Sequence, residues 1–358
     1  MPIKAKSKHA NFSQAVLHWF EHHGRKNLPW QLKPTSYRVW VSEIMLQQTQ
    51  VSTVIPYYEN FMRSFPNIKQ LALADEDKVL HHWTGLGYYA RARNLHKTAK
   101  IVYQENHGVF PSTLEELIEL PGIGRSTAGA IMALAEDSYA VILDGNVKRV
   151  LCRYHCVKGW PGHSETQKQL WELAELHTPS TNCRSYTQAM MDLGAILCTR
   201  TKPSCPVCPL QEGCEAYLRH KTTEFPHKKI KKKFPEKSIQ MLILHNKSGK
   251  KVLLEKRPPG GIWGGLWSFP EIPVHADISS FLQKYDFVIN DQTMQWNDIR
   301  HTFSHFHLTI TPQILWLAKE PMMVMEKPDW HWYDLNSPTE LGLAGPVKTL
   351  LTQLVNKS

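Results

Sequence analysis

A glycine turn and a carboxylate lie close together near the middle of the chain. The segment Leu120–Ile131 begins Leu-Pro-Gly-Ile-Gly-Arg-Ser-Thr, and Asp144 follows it in the run Ile-Leu-Asp-Gly-Asn-Val. A Pro-Gly-x-Gly turn between two helical stretches exposes backbone N–H groups at a helix start, so Gly122 and Gly124 could hold a phosphate. We expect Asp144, just past the second helix, to lie near whatever carries that phosphate.

Four cysteines form a second group with chemical potential. Cys198, Cys205, Cys208 and Cys214 are separated by six, two and five residues in a proline-rich loop. In a reducing compartment such a group indicates metal or cluster ligands rather than disulfides. Four thiolates can surround one tetrahedral zinc ion or one cubane iron–sulfur cluster, and the spacing alone does not decide between them.

The composition sets limits on the class of protein. At 358 residues the chain is long enough for two domains. A formal charge of +10 favours a polyanionic partner. Because no apolar run reaches membrane-spanning length and the N-terminus lacks a signal-peptide core, we expect a soluble cytoplasmic protein.

The hydrophobic pattern predicts an all-helical part followed by a mixed α+β part. Amphipathic helices are predicted from about Phe12 to Glu136, and again at Trp171–Leu176 and Tyr186–Leu197. The basic, proline-flanked stretch 222–237 is predicted to be a linker between domains 1–221 and 238–358. Beyond it the pattern predicts strands and a terminal helix, at Ser238–His245, Lys251–Lys256, His307–Leu317, Trp330–Tyr333 and Val347–Val355.

With these features the chain resembles the adenine glycosylases of the MutY family, within the endonuclease III superfamily. The cysteine spacing matches the cluster loop of that superfamily. Four further stretches match in family order, at Trp40–Val51, Trp83–Asn94, Leu143–Arg149 and Arg300–His307. The resemblance implies a mainly α helix-hairpin-helix glycosylase domain with one [4Fe–4S] cluster at residues 198–214, followed by an α+β Nudix-like domain.

The resemblance also implies the catalytic residues. Glu43 would protonate adenine at N7, which requires a raised pKa and a partly desolvated site. Asp144 would stay ionised and face the sugar carbon where positive charge develops, and Asn146 would help to hold the attacking water. The plainer alternatives are a surface glutamate at Glu43 and a helix-capping turn at Asp144.

Ser126 bears on the type of reaction. Superfamily members that also cleave the strand have a lysine at this position, which forms a Schiff base with the sugar. Serine cannot do so, and the resemblance therefore implies a monofunctional enzyme; alternatively, Ser126 is simply a small residue where two helices approach. The family's flipped-base and DNA contacts correspond to Trp30, Gln31, Leu46, Gln47, Gln48, Tyr88 and Gln188.

The second domain resembles a Nudix fold without its catalytic box. Val252–Pro258 and the glycine-rich run up to Pro270 match the opening of that fold, but no helix with the magnesium-binding glutamates follows. The family reads 8-oxoguanine with the loop that corresponds to Phe303, Ser304 and His305. A histidine-bearing strand that contains His301, His305 and His307 is the alternative.

The favoured interpretation is therefore a monofunctional enzyme that removes adenine paired with 8-oxoguanine or guanine in double-stranded DNA. It would act as a monomer in the bacterial cytoplasm, and at the nucleoid when bound to DNA. Three alternatives remain: a glycosylase/lyase for oxidised pyrimidines, a non-catalytic DNA-binding module and a Nudix hydrolase.

Overall fold

The computed structural model describes residues 3–229, 234–319, 321 and 327–357. Residues 230–233, which belong to the predicted basic linker, lie outside the described part of the chain. The chain folds as two compact units. The first unit contains the described residues of Met1–Leu73 and Asn94–Lys231, and the second contains those of Ala74–Arg93 and Lys232–Ser358.

Helices account for most of the chain before residue 220. In chain order they are α1 (Ile3–His23), α2 (Ser36–Leu46), α3 (Val51–Ser64), α4 (Ile68–Ala72), α5 (Glu76–Trp83), α6 (Ala90–Gln104), α7 (Leu114–Glu119), α8 (Arg125–Glu136), α9 (Gly145–Tyr154), α10 (Ser164–His177), α11 (Cys183–Asp192) and α12 (Glu215–Leu218). A π-helical turn, Leu193–Leu197, continues α11, and two 3₁₀ turns, Cys205–Val207 and Gln211–Gly213, lie between the cysteines.

The core of the first unit forms where apolar helix faces meet. On α2 the side chains of Val39, Trp40, Ile44 and Met45 are buried, and they are distributed around most of the helix. Burial of each such side chain stabilises the fold by roughly 1.5–3 kcal/mol. The helix is therefore held on most sides, and it presents Glu43 from a fixed position.

The extended segment after α8 packs against Gly129 of that helix. The extended segment that follows the helix passes so close to Gly129 that a Cβ there would collide with the carbonyl oxygen of Val141. Any larger side chain would force this segment away from α8. Because the segment ends at Asp144, the glycine determines where that carboxylate lies.

The second unit is built on one mixed sheet. Its strands are β1 (Glu236–His245), β2 (Lys251–Lys256), β3 (Trp267–Ser268), β4 (Glu271–Pro273), β5 (Ile289–Gln295), β6 (Ile299–Thr302), β7 (His307–Leu317) and β8 (Trp330–Asp334). They run in the order β3-β2-β1-β7-β5, with β4, β6 and β8 paired to β1, β7 and β2. The central pair, β1 and β7, is parallel. Helices α13 (Ile278–Lys284) and α14 (Gly345–Lys357) complete the unit.

The segment 74–93 packs with this second unit although it comes early in the sequence. Asp77 of α5 accepts hydrogen bonds from the Trp267 indole at 3.1 Å and from Lys256 at 3.0 Å. The Tyr89 hydroxyl donates to the Leu343 carbonyl at 3.1 Å, and Arg93 donates to the Gly264 carbonyl. The second unit is therefore discontinuous in sequence, which no composition change around residues 74–93 indicates.

Most of the predicted elements are present. The strands predicted at 251–256 and 307–317 match β2 and β7. Thr113 caps α7 by accepting a hydrogen bond from the Glu116 N–H. β1 begins at Glu236, inside the predicted linker. Strand β5 was not predicted, because its side chains are almost all exposed and show no apolar alternation. No described helix is both long and apolar enough to cross a membrane.

Candidate active site

Glu43 lies on α2 among side chains that exclude water. It is half-buried, between Ser42 and Ile44, which are both buried. Desolvation, and next the charge of Asp144, raise the pKa of Glu43 to about 8. Glu43 therefore carries a proton at neutral pH, unlike an ordinary surface glutamate.

Asp144 is the N-cap of α9 and is tied down by several donors. Its Oδ1 accepts the N–H groups of Asn146 at 3.0 Å and Val147 at 2.8 Å, and its Oδ2 accepts the Asn146 side-chain amide at 2.9 Å. Arg149 in turn donates to Oδ1 of Asn146 at 2.8 Å. Asp144 therefore does cap a helix, as one of the two interpretations predicted, and this capping role is compatible with a catalytic role.

The two carboxyl groups differ in what stabilises their charge. Burial raises the pKa of Asp144 above its ordinary value, although the hydrogen bonds from Val147 and Asn146 and the charge of Arg149 act in the opposite direction. For Glu43, burial and the charge of Asp144 both raise the pKa. Asp144 therefore has donors that stabilise its ionised form, and Glu43 has none among the causes that shift its pKa.

Ser126 supports the backbone next to Asp144. Its hydroxyl oxygen accepts the N–H of Leu143 at 3.0 Å, and Leu143 is the residue that immediately precedes Asp144. The serine is therefore more than a small residue between helices. It fixes the end of the extended segment that delivers the carboxylate.

A cavity of about 170 Å³ in the first unit brings together three of the predicted pocket residues. Trp30, Gln31 and Gln188 all line it, and Val39 of α2 contributes to the same wall. An apolar cavity of about 150 Å³ is enough for a single aromatic ring. Neither Glu43 nor Asp144 lines it, but Glu43 is one helical turn after Val39 on the same face of α2.

The hairpin joins α7 to α8 through the predicted glycine turn. Gly122 has a φ of +81°, and a Cβ there would lie 2.9 Å from Cβ of Asn94. Gly124 caps α8 with open space around it. The first N–H groups of a helix have no partner within it, so this turn offers them to an anion. Arg125 is engaged elsewhere, with Glu175 at 2.5 Å.

The predicted DNA-inserting residues lie at a helix end and in a turn. Leu46 ends α2, and Gln47 and Gln48 follow, with Gln48 at a φ of +59°. In the second unit Tyr88 is half exposed, has a φ of +50°, and lies beside the Arg91 guanidinium. Left-handed backbone at non-glycine residues is strained and concentrates at functional sites.

The four cysteines of the loop converge without crowding. Among the described residues, which include all four, no three of their sulfur atoms lie within 4.8 Å of one another. Four thiolates in one loop can hold either a tetrahedral zinc ion or a cubane iron–sulfur cluster. Burial, together with the other three sulfurs, raises the pKa of Cys208 to about 12, which a bound cationic centre would reverse.

Arginines of α9 contact this loop. Arg153 donates to the Cys198 sulfur at 3.3 Å and to the Thr199 carbonyl at 2.7 Å. Arg149 donates to the Cys198 carbonyl at 2.7 Å as well as to Asn146. The helix that Asp144 caps is thereby fastened to the cysteine loop.

In the second unit the predicted lesion-reading residues form a turn between β6 and β7. Ser304 and His305 are exposed at its tip, and Phe303 packs on Trp263 with the ring centres 5.3 Å apart. His301 lies on β6 and His307 on β7. The alternative of one histidine-bearing strand is therefore wrong, because the chain reverses between these residues.

Family models match both parts of the chain. Residues 41–176 match the HhH-GPD superfamily of base excision DNA repair proteins, and residues 240–353 match the NUDIX domain. The adenine DNA glycosylase of Buchnera aphidicola subsp. Baizongia pistaciae is 43% identical to this chain, over 96% of each sequence. The chain belongs to the adenine DNA glycosylase family. The Homo sapiens relative is 33% identical and aligns over 86% of this chain and 67% of its own length.

Solved structures support the fold of this glycosylase. A thermostable thymine-DNA glycosylase superposes with a TM-score of 0.53 and 27% identity, covering 60% of this chain and 98% of its own. An endonuclease III–DNA complex superposes with a TM-score of 0.51 over 60% of this chain and 97% of its own, at 19% identity. The predicted fold class, a helix-hairpin-helix glycosylase domain followed by a Nudix-like domain, is confirmed, as is the prediction of a base-excision enzyme.

Three polar residues of this glycosylase were missed from the sequence. Arg25, Arg149 and Asp192 hold site residues in place, and Asp192 is fully buried. Asp192 stands in an apolar run between Met191 and Leu193, which is the one feature that hints at a buried charge. Arg25 and Arg149 look like ordinary surface cations in the sequence.

Proposed function

We propose that this glycosylase removes adenine paired with 8-oxoguanine or guanine in double-stranded DNA, and that it leaves an abasic site without cutting the strand. The observation that carries the proposal is the pairing of Glu43, whose pKa is raised to about 8, with Asp144, which accepts three hydrogen bonds at the start of α9. Cleavage of an N-glycosidic bond needs an acid for the leaving base and an anion for the sugar.

In this proposal Glu43 acts as the general acid. The target adenine leaves the stack and enters the first unit, where Trp30 lines the cavity and offers an aromatic face. The proton of Glu43 passes to N7 of the base, so that the departing purine leaves neutral. With a pKa of about 8, Glu43 is protonated at neutral pH and is still acidic enough to donate its proton to the base.

Asp144 stabilises the positive charge that develops on the sugar as the bond breaks. Its three hydrogen bonds within the α9 cap stabilise the ionised form and fix the direction of the carboxylate, so that little reorganisation is needed during the reaction. Asn146, which is held by Arg149, would help to orient the water that completes the hydrolysis. Ser126 offers no amine, which excludes a Schiff base at this position and supports a monofunctional reaction.

The cysteine loop is proposed to hold one [4Fe–4S] cluster with Cys198, Cys205, Cys208 and Cys214. The cysteine spacing, which matches the cluster loop of the superfamily, and the membership of the chain in the adenine DNA glycosylase family support this assignment over zinc. The cluster would supply a rigid structural centre, because four cysteines leave no iron site open for a substrate. Arg149 and Arg153 connect that loop to α9.

The second unit is proposed to read the base opposite adenine through Phe303, Ser304 and His305. The exposed hydroxyl and imidazole at the turn tip can reach polar groups of a base, and Phe303 is anchored by Trp263. The proposed partner of the enzyme, which acts as a monomer, is duplex DNA that contains the lesion. Gly122 and Gly124 would contact a DNA phosphate. The residues that would insert into the duplex are Leu46, Gln47, Gln48 and Tyr88. Because the Buchnera relative is bacterial, we place the enzyme in the bacterial cytoplasm, at the nucleoid when bound to DNA.

The test is product analysis on a duplex with one adenine opposite 8-oxoguanine. We expect free adenine, an intact strand that breaks only after alkali, and no more than trace covalent product with borohydride. Strand cleavage without alkali, or strong borohydride trapping, would instead support the glycosylase/lyase. No release of adenine by the full-length protein would support a DNA-binding module.

A further inference from the structure

An ion pair between Arg25 and Asp192 lies at the cavity, where Arg25 is one of the lining residues and Asp192 is not. Asp192, at the end of α11, is 0% exposed, and Arg25 binds it with three donors. The Arg25 backbone N–H donates to Oδ2 at 2.7 Å, while Nε and Nη2 donate to Oδ1 at 3.0 and 2.6 Å. These hydrogen bonds from the Arg25 guanidinium and backbone fix the plane of the carboxylate.

The same carboxylate determines which way the Gln188 amide points. Oδ1 of Asp192 lies 2.9 Å from Nε2 of Gln188, one helical turn earlier on α11. An ionised carboxylate only accepts hydrogen bonds, so the amide atom that faces it must be the nitrogen. The assignment of the two amide atoms thus follows from the chemistry of the carboxylate.

The amide oxygen is left for the cavity. Gln188 lines the cavity, and within the described chain its Oε1 accepts no hydrogen bond. This oxygen is not fully enclosed by protein atoms either, so it keeps contact with open space. The cavity consequently presents a hydrogen-bond acceptor at this point.

We propose that Asp192, clamped by Arg25, is a positioning residue that makes Gln188 present its carbonyl oxygen to the base. An acceptor there matches the exocyclic amino group of a 6-aminopurine and repels the carbonyl oxygen of a 6-oxopurine. Since mispaired polar groups in a pocket are costly, Asp192 sets base specificity through Gln188 although it does not itself line the cavity. This inference rests on the proposed removal of adenine.

The test compares release of adenine and of hypoxanthine, each opposite 8-oxoguanine, in single-turnover reactions of the full-length protein. In Asp192→Ala the Arg25 guanidinium, which shared Oδ1 with Gln188, becomes the nearest partner of the amide. Because guanidinium only donates, the amide should rotate and turn Nε2 toward the cavity. We expect the adenine-to-hypoxanthine rate ratio to fall by about tenfold or more.

Asp192→Asn is the matched control. Two donors of Arg25 and one of Gln188 meet at Oδ1, whereas Oδ2 faces a single N–H, so the new amide should keep its oxygen at the Oδ1 position. The rate ratio should then stay within about threefold of the wild type, since the acceptor is retained. Should thermal melting show that Asp192→Ala does not fold, the double variant Arg25→Met/Asp192→Leu replaces the ion pair with apolar side chains and should also lower the ratio.

The outcomes separate the two claims. A wild-type protein that releases no adenine contradicts the proposed function. A wild-type protein that releases adenine, with a folded Asp192→Ala or double variant that keeps the wild-type ratio, overturns the positioning role, as does equal slowing of both bases. A ratio as low in Asp192→Asn as in Asp192→Ala overturns it too.

Discussion

At the scale of single residues, two carboxyl groups with similar ordinary pKa values differ in how well their surroundings stabilise the ionised form. Asp144 receives hydrogen bonds from the start of α9, and Glu43 has only burial and a nearby negative charge. The type and position of both residues are evident from the sequence. The difference in how their ionised forms are stabilised cannot be predicted from it, because that difference depends on which atoms surround each side chain after folding.

Glu43→Gln tests the acid. The variant keeps the shape of the side chain but has no proton to give, so base release should fall by about hundredfold or more. In the wild type, release should decline as pH rises through about 8, where Glu43 ionises. Single-turnover rates across pH measure both effects. A variant that keeps the wild-type rate would show that Glu43 is not the acid.

The same variant should change stability in a pH-dependent way. The pKa of Glu43 is higher in the folded state than its ordinary value, so the stability of the wild type declines as pH rises from about 4.5 to about 8. In Glu43→Gln the glutamine side chain does not ionise, so the variant does not lose stability in this way as pH rises. Its advantage in unfolding free energy should grow over that range and level off at roughly 2–4 kcal/mol near pH 9, measured by denaturant unfolding.

Asp144→Asn separates the charge from the cap. Asparagine is also a good N-cap, so α9 should remain intact and duplex binding should stay within about threefold. Without the negative charge, base release should fall by about a hundredfold or more. Binding assays beside single-turnover rates provide the check. Equal loss of binding and turnover would mean that Asp144 is only a structural residue.

At the scale of elements, the site depends on glycines that allow neighbouring backbone segments to approach each other closely. The π-helical turn Leu193–Leu197 lies against the start of α9, and Gly129 allows the segment before Asp144 to cross α8. The helices, the main strands and the cap at Thr113 follow from periodicity and capping patterns. The close approaches at Gly129 and Gly194 cannot be predicted from such patterns, because a glycine in a helical sequence does not indicate which segment packs against it. Likewise the Asp192–Arg25 pair joins residues far apart in sequence.

Gly194→Ala tests one such approach. A Cβ at Gly194 would lie 2.5 Å from Cβ of Asn146 and 2.9 Å from its Cα, so Asn146 must move and the cap at Asp144 with it. We expect a loss of about 1–3 kcal/mol in stability and a clear loss of turnover. Gly145→Ala is the control, because nothing lies within 4 Å of a Cβ there although the residue adjoins Asp144. Equal turnover in both variants would contradict the packing argument.

At the scale of the whole molecule, each unit carries a different part of the proposed reaction. The first unit contains Glu43, Asp144, the cavity and the cysteine loop, and the second contains the turn at Ser304 and His305. The two-part fold could be predicted from the change in pattern near residue 237. The membership of residues 74–93 in the second unit could not, because it rests on side-chain contacts such as Asp77 with Trp267.

The central claim is that the enzyme removes adenine according to the base opposite it. The most direct measurement is single-turnover adenine release by the full-length protein from duplexes that differ only in that base: 8-oxoguanine, guanine or thymine. Release should be fastest opposite 8-oxoguanine, slower opposite guanine and undetectable opposite thymine. Equal rates opposite all three bases, or no release from any duplex, would contradict the claim.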